Sequence, residues 1–293
     1  MSTILAMQPV DYGYFPRGES VLRRVHGTKA VGVLYGQRAL LIQATDPLAF
    51  AGLMANTQGL DAPFRRLAHT AKTMEQVFFG SRVEADRVTA RVRAMHARVR
   101  GELAAPAGQH PAGSEYRADA PEFLLWILAG LADSALAAYE RLVRRLGDEE
   151  RERYWTDYLL LGELFGLDRR DAPADYPEFR AYMNERLASD DLFVVEQAHE
   201  IGRKVAFELP LPASRQPGLW VTNFLVQGLL PARVRTLYDI EWDGARQLAF
   251  EALCQSLRVS ARVTPATLRR GSSAAEYELV ARTERERLER AAA

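Results

Sequence analysis

Cysteine is nearly absent, with Cys254 the only one in 293 residues. A single thiol excludes an intramolecular disulfide, a Cys-rich zinc site and an iron–sulfur cluster, and it suits a reducing compartment. Its setting, ALCQSL, reads as a helix with neither His nor Lys beside it, so the thiol is expected to be buried and inert. Lysine is scarce too, at positions 29, 72 and 204 only, and arginine supplies the rest of the 38 basic residues. That bias runs through the whole Ala-rich chain, so it reflects composition rather than a site. Net charge is also lacking, because 38 Asp and Glu offset the 38 Lys and Arg. This excludes a nucleic-acid binder that works through a bulk positive field, though not a local patch. Twenty Gly and fourteen Pro are too few for a collagen-like or low-complexity chain. The most apolar stretch, 123–138, is broken by Asp133 and Ser134 and is shorter than the roughly 20 residues of a membrane span. The N-terminal MSTILAMQPVDYGYFPRG has no basic start and too short an apolar run for a signal peptide. The expectation is a cytoplasmic protein with no membrane span.

What is present is helix punctuation. Arg38 to Thr45 reads as a helix, and Asp46-Pro47 as the cap and first residue of a second one running to about Gln58, with Gly59 as its stop. Pro63 opens the next, with a stripe of Leu67, Thr70/Ala71, Met74, Val77 and Phe78 up to Gly80. Ser81-Arg82-Val83-Glu84 is a capping-box pattern that starts a helix to about Arg100, with Val88, Val92, Met95 and Val99 as its inner stripe. A loop from Ala104 to Ser114 precedes a long apolar helix opened by Pro121. Further helices are expected at 149–165, 177–187, 191–208, 219–229, 232–238, 244–257 and 273–290. Leu257 to Val263 is the only tempting strand, and Leu209 to Gly218 is the best internal boundary. No period of 20–50 residues repeats, which excludes a solenoid. The expected fold is all-α, about ten helices in a single domain.

Common catalytic motifs are missing. There is no G-x-G-x-x-G after a strand, no phosphate-binding P-loop and no G-x-S-x-G turn. His199-Glu200 starts like a zinc-protease motif, but Arg203 stands where the second His belongs. His26 and His110 fall in expected loops, where a solvated ring is the default. His96 lies four residues after Val92 and three before Val99, beside the inner stripe of its helix. A buried neutral imidazole needs a hydrogen bond or a metal; a satisfied core histidine is the commoner outcome, and a metal ligand the sharper one. Arg66, His69 and Thr70 stand at i, i+3 and i+4, so one helical face carries a guanidinium, an imidazole and a hydroxyl beside Phe64 and Leu67. Such a face either lines a polar pocket in an apolar wall or is an ordinary surface.

The words RALLIQA, RRLAHT, VFFG followed by EA, MHARVRG and YRADAPEFLLW occur in that order, followed by DSALAAYERL and ERYWTDYLLLGELFGL. Over roughly residues 20–210 this pattern resembles the latex-clearing-protein and MpaB-type oxygenase family, all-α haem b proteins. The resemblance implies a globin-like helical core around a haem, with the C-terminal helices (219–293) packed on it. It makes His96 the proximal iron ligand and Arg66 and Thr70 polar groups of the distal side. Arg100, one turn after His96 if the helix continues, is expected near the haem edge, paired with a propionate. One branch of the family has a Lys able to bind iron where this chain has His69, so His69 is a candidate sixth ligand or a hydrogen-bond donor to bound oxygen. Family histidines are replaced at Asp46, Asn56-Thr57 and Leu128, so the usual substrate does not carry over, and rubber cleavage in particular does not follow. The implied activity is oxygenation of a hydrophobic small molecule with O₂. Two other readings are a non-enzymatic haem protein with His96 and His69 as paired ligands, and a cofactor-less helical interaction protein.

Overall fold

Local punctuation and apolar periodicity set most of the architecture. The computed structural model describes residues 13–54, 62–211, 213–265 and 269–271, with Thr283, Glu286, Glu289 and Arg290. Among these residues there are twelve α-helices and one short antiparallel hairpin, so the all-α expectation holds, with a helix at Val21–His26 that the sequence reading did not include. The helices are α1 (Val21–His26), α2 (Lys29–Gln43), α3 (Pro47–Met54), α4 (Ala62–Phe79), α5 (Arg82–His96) and α6 (Pro121–Leu142). They continue with α7 (Asp148–Phe165), α8 (Tyr176–Ala188), α9 (Glu196–Phe207), α10 (Gln216–Leu229), α11 (Ala232–Leu237) and α12 (Gly244–Val263).

The caps act where the sequence puts them. Asp46 Oδ1 accepts from the Leu48 and Ala49 amides at 3.0 and 2.9 Å, which opens α3. Ser81 and Glu84 form a complete capping box on α5. Gly166 ends α7 at φ +99°, a left-handed conformation that L side chains rarely adopt. The expected end of α3 at Gln58–Gly59 and most of the expected helix at 273–290 lie outside the described residues.

At the centre α6 lies against α2. Trp126, Trp155, Tyr154 and Tyr158 are fully buried, each contributing roughly 1.5–3 kcal/mol or more through the apolar area it removes from water. α6 is longer than the sequence stretch suggests: at 22 residues it is long and apolar enough by composition to cross a membrane. Here 67 % of its most apolar window is packed inside the protein, and buried Asp133 and Ser134 interrupt it.

Asp133 is the polar pin of this core. Arg38 of α2 donates to Asp133 Oδ2 at 2.7 Å, to Ser134 Oγ at 2.8 Å and to the Leu229 carbonyl of α10 at 2.8 Å. Arg180 of α8 bonds the other carboxylate oxygen. Burial alone would push the Asp133 carboxyl up, but the two guanidiniums hold it below its ordinary value. Four helices thus meet at one ion cluster.

Three local expectations are corrected. Leu257–Val263 is helical, the last third of α12, because Leu257 packs against the main core while Val259 and Val263 face outward. Arg98–Arg100 do not continue α5; Arg100–Glu102 is a strand, β1, paired with β2 (Glu115–Arg117) in the register Arg100↔Arg117. His26 is not solvated but buried, its Nε2 at 2.7 Å from Tyr158 Oη and its ring stacked on Phe78. Cys254 is buried as expected, and burial pushes its thiol up.

Candidate functional site

The site is built where α5 ends. Ser81 starts that helix, and its inner face runs through Ala85, Val88 and Thr89, all buried, to half-buried Val92 and His96. Met95, expected on the inner stripe, is 38 % exposed, because the helix turns it outward. The helix stops at His96. Val99 N–H bonds back to the His96 carbonyl at 3.0 Å, and Ala118 N–H then takes the Val99 carbonyl at 2.9 Å. The β1–β2 hairpin therefore pulls the chain into extended form and sets Asp119 beside the end of α5.

His96 Nδ1 is buried and has no hydrogen-bond partner among the described residues. Burial first, and the Arg66 guanidinium second, lower the imidazole pKa, with the Asp119 carboxylate opposing them. At neutral pH the ring is therefore uncharged. Leaving such a nitrogen unsatisfied costs about 1–3 kcal/mol, the kind of defect that marks a place for a missing partner.

Arg66 is the member of the α4 trio that the fold turns toward His96. Its guanidinium is half-buried, donates to the Leu53 carbonyl at the end of α3, and is lowered by desolvation. Phe64 beside it is buried against Val205, Leu209 and Leu219, with Leu67 and Leu211 flanking. His69 and Thr70, expected on the same face, are exposed. The face lies at the edge of the fold, so the shared helical side faces the interior at Arg66 and solvent one turn later. Arg100 is exposed, and its guanidinium folds back to the Ala97 carbonyl. Its expected place one helical turn from His96 is overturned, because no helix connects the two.

Asp119 was missed by sequence reasoning, although it stands in the word YRADAPEF. It is held by Arg117 at 3.2 and 3.3 Å, a pairing that keeps its carboxyl below the usual range. The Arg38–Asp133 pair was also missed. Its residues belong to RALLIQA and DSALAAYERL, words that a spacing argument cannot connect.

A model of the ER-bound oxygenase MpaB/B′ and rubber oxygenase catalytic domain matches residues 23–259. The chain belongs to this family. The match runs from α1 through most of α12, further toward the C-terminus than the sequence words suggest. Among curated proteins, uncharacterized proteins of Mycobacterium bovis (Mb2261) and Mycobacterium tuberculosis (Rv2237) are each 26 % identical over 204 residues, covering 69 % of this chain and 76 % of theirs. No solved structure matches. As a member of this oxygenase family the chain has an oxygenase-type activity in general terms, and the family is one of haem proteins.

Among the described residues no three His, Cys, Asp or Glu side chains converge as a metal-binding group. A haem asks less of the protein, since a single axial side chain holds its iron. His96 meets that requirement: its imidazole is neutral, turned inward, and carries a buried nitrogen that no group among the described residues satisfies. The residues present fit the group.

Proposed function

We propose that the chain is a cytoplasmic haem b-dependent oxygenase that acts on a hydrophobic small molecule with O₂, with His96 as the axial ligand. The observation that carries this reading is the unpartnered, buried Nδ1 of a neutral His96 beside the Arg66 guanidinium. Haem b, when bound, supplies an iron at which O₂ is held or activated, according to the donors that surround it.

The protein's own groups have separable tasks. The His96 ring stays neutral because burial and Arg66 both disfavour its proton, so a nitrogen lone pair is available at pH 7. Asp119 works in the opposite sense and limits how far that depression goes. Arg66 keeps a desolvated cation beside the imidazole. Its guanidinium is the group that stabilises negative charge developing on oxygen during turnover. Desolvation strengthens that interaction, because the local dielectric is lower than that of water. Thr70 and His69 are exposed on the next turn of α4 and are the further polar groups proposed to serve the distal side. Phe64 and Leu67, packed on the leucines at 209, 211 and 219, form an apolar flank for the substrate. No observation favours paired His96/His69 ligation, since His69 faces solvent while His96 faces the interior.

The test is haemin titration of the purified chain, followed by absorbance, with circular dichroism as a control for folding. Wild type should take up one equivalent and show a Soret band, and His96→Ala should lose at least about tenfold in affinity with unchanged helix content. Equal affinity and equal spectra in the two proteins would remove His96 as the ligand.

A further inference from the structure

Tyr116, half-buried in β2, lies against two glycines from different elements. Across the hairpin it is paired with Gly101 of β1. One edge of its ring covers that glycine: a methyl group at 101 would lie 2.6 Å from Tyr116 Oη, 2.9 Å from Cζ and 3.3 Å from Cε1. The opposite edge faces α3, where a methyl group at Gly52 would lie 3.6 Å from Cδ2 and 3.9 Å from Cε2. Val99, just before β1, adds to this contact, its Cγ1 3.9 Å from the same point. The ring is thus a wedge between the hairpin and α3. Gly101 serves it by leaving space, since its φ is not in the left-handed region.

The wedge acts one residue before a carbonyl that the site uses. Leu53 follows Gly52, and the Arg66 guanidinium donates to the Leu53 carbonyl. At eight residues α3 is too short to keep its place without tertiary packing. Asp46 caps its start, and Leu53 packs on the cluster of Ala44, Phe50 and Ala198. Tyr116 is the contact that ties α3 to the hairpin which begins just after the helix of His96. An arginine side chain has many rotamers, so its place depends on the acceptors that hold it, of which the Leu53 carbonyl is one. A charge-stabilising group is effective only when its supporting shell keeps it within about 0.5 Å of its productive position.

We propose that Tyr116 is a positioning residue for Arg66: its ring, wedged between Gly101 and Gly52, fixes the end of α3 so that the Leu53 carbonyl holds the guanidinium beside His96. This inference rests on the proposed function for what Arg66 does during turnover, and on the contacts alone for how Arg66 is held.

The test is NMR of the full chain labelled with ¹⁵N-arginine, reading exchange of guanidinium protons with water. The Arg66 Nη signals are assigned by their loss in Arg66→Lys, and those of Arg38, bonded to Asp133, report on the rest of the fold. Tyr116→Ala should speed exchange at Arg66 by at least about tenfold, as a local opening does, and leave Arg38 unchanged. Tyr116→Phe keeps the ring and should exchange like wild type at both. Gly101→Ala, which displaces the ring without removing it, should repeat the effect of Tyr116→Ala and guards against misfolding of that variant. Gly101→Ala/Tyr116→Ala should be no worse than Tyr116→Ala, because the added methyl group then meets no ring. Arg66 exchange indifferent to Tyr116→Ala and Gly101→Ala would overturn the proposal, as would equal acceleration at Arg66 and Arg38. A chain that takes up no haemin yet shows this Arg66 pattern would end the haem reading and leave the positioning role standing. Haemin uptake through His96 with Arg66 indifferent to Tyr116 would do the reverse.

Discussion

His26 and His96 are both inward-facing imidazoles whose Nδ1 has no partner among the described residues, yet their surroundings give them opposite meanings. His26 is packed among Tyr35, Phe78 and Tyr158, and its Nε2 is already bonded to the Tyr158 hydroxyl. Burial lowers its pKa to about 3, so the folded protein keeps it neutral while the unfolded chain takes up a proton below about pH 6.5. The unfolded state then binds more protons, and stability falls as pH drops from about 6.5 toward 3. Between pH 7 and 4.5 this one group should cost the native state about 2–3 kcal/mol. Urea titrations of wild type and His26→Phe at both pH values check it: the variant should lose less stability on acidification by that amount. The sequence could not show this, because the contact that buries His26 comes from Tyr158, 132 residues away. His96 and Arg66 were legible, since helical spacing put one beside a buried stripe and the other beside Phe64. His69 and Thr70 were legible as neighbours of Arg66 but not as exposed, because helical phase does not say where the edge of the fold lies. Arg66→Ala should lose on the order of 10²-fold or more in turnover of an identified substrate, with haem stoichiometry unchanged. Full activity in that variant would end its charge-stabilising role.

At the scale of elements, most boundaries follow from single residues whose chemistry is local. Asp46, Ser81, Pro121 and Gly166 each start or stop a helix by satisfying or removing a terminal backbone group, and such signals are readable one segment at a time. The β1–β2 hairpin was unreadable for the converse reason. Three-residue strands have no alternation to detect, and their pairing depends on a register across a loop. That hairpin decides where α5 ends, and so it takes Arg100 off the helix that carries His96. The ion cluster of Arg38, Asp133 and Arg180 is likewise a meeting of helices rather than a pattern within one. Asp133→Ala would leave two guanidiniums facing a buried gap and should destabilise the fold by about 3–5 kcal/mol. The loss is readable as a lower urea midpoint with an unchanged slope. Asp133→Asn keeps the shape and one acceptor and should cost less; equal stability of Asp133→Ala and wild type would show that Arg38 and Arg180 are satisfied elsewhere.

At the scale of the whole molecule, the Leu209–Gly218 segment is the best boundary that composition offers, yet the helices on its two sides are interlocked. The main core runs from Phe15 to Cys254. Arg38 of α2 is tied to the Leu229 carbonyl of α10, and Arg258 of α12 to the Glu140 carbonyl of α6 at 2.7 Å. Elements before and after the segment therefore cannot separate without exposing one another's buried surface, and a single-domain chain is the expectation. The four tryptophans make this measurable. Trp126 and Trp155 precede the segment, and Trp220 and Trp242 follow it. If the halves unfold together, fluorescence of a chain that keeps only the first pair and of one that keeps only the second should report the same urea midpoint as far-UV circular dichroism. Phe replacements at exposed Trp220 and half-buried Trp242 give the first chain. The second replaces core residues Trp126 and Trp155, so its midpoint is compared with the circular dichroism of the same variant rather than with wild type. Saturating haemin should move all probes upward together, by about 2.7 kcal/mol at a hundred times the Kd, because a ligand that binds only the native state stabilises the whole of one cooperative unit. Two resolved transitions, with only the one reported by Trp126 and Trp155 answering to haemin, would divide the chain at Leu209–Gly218 and confine the site to its N-terminal part.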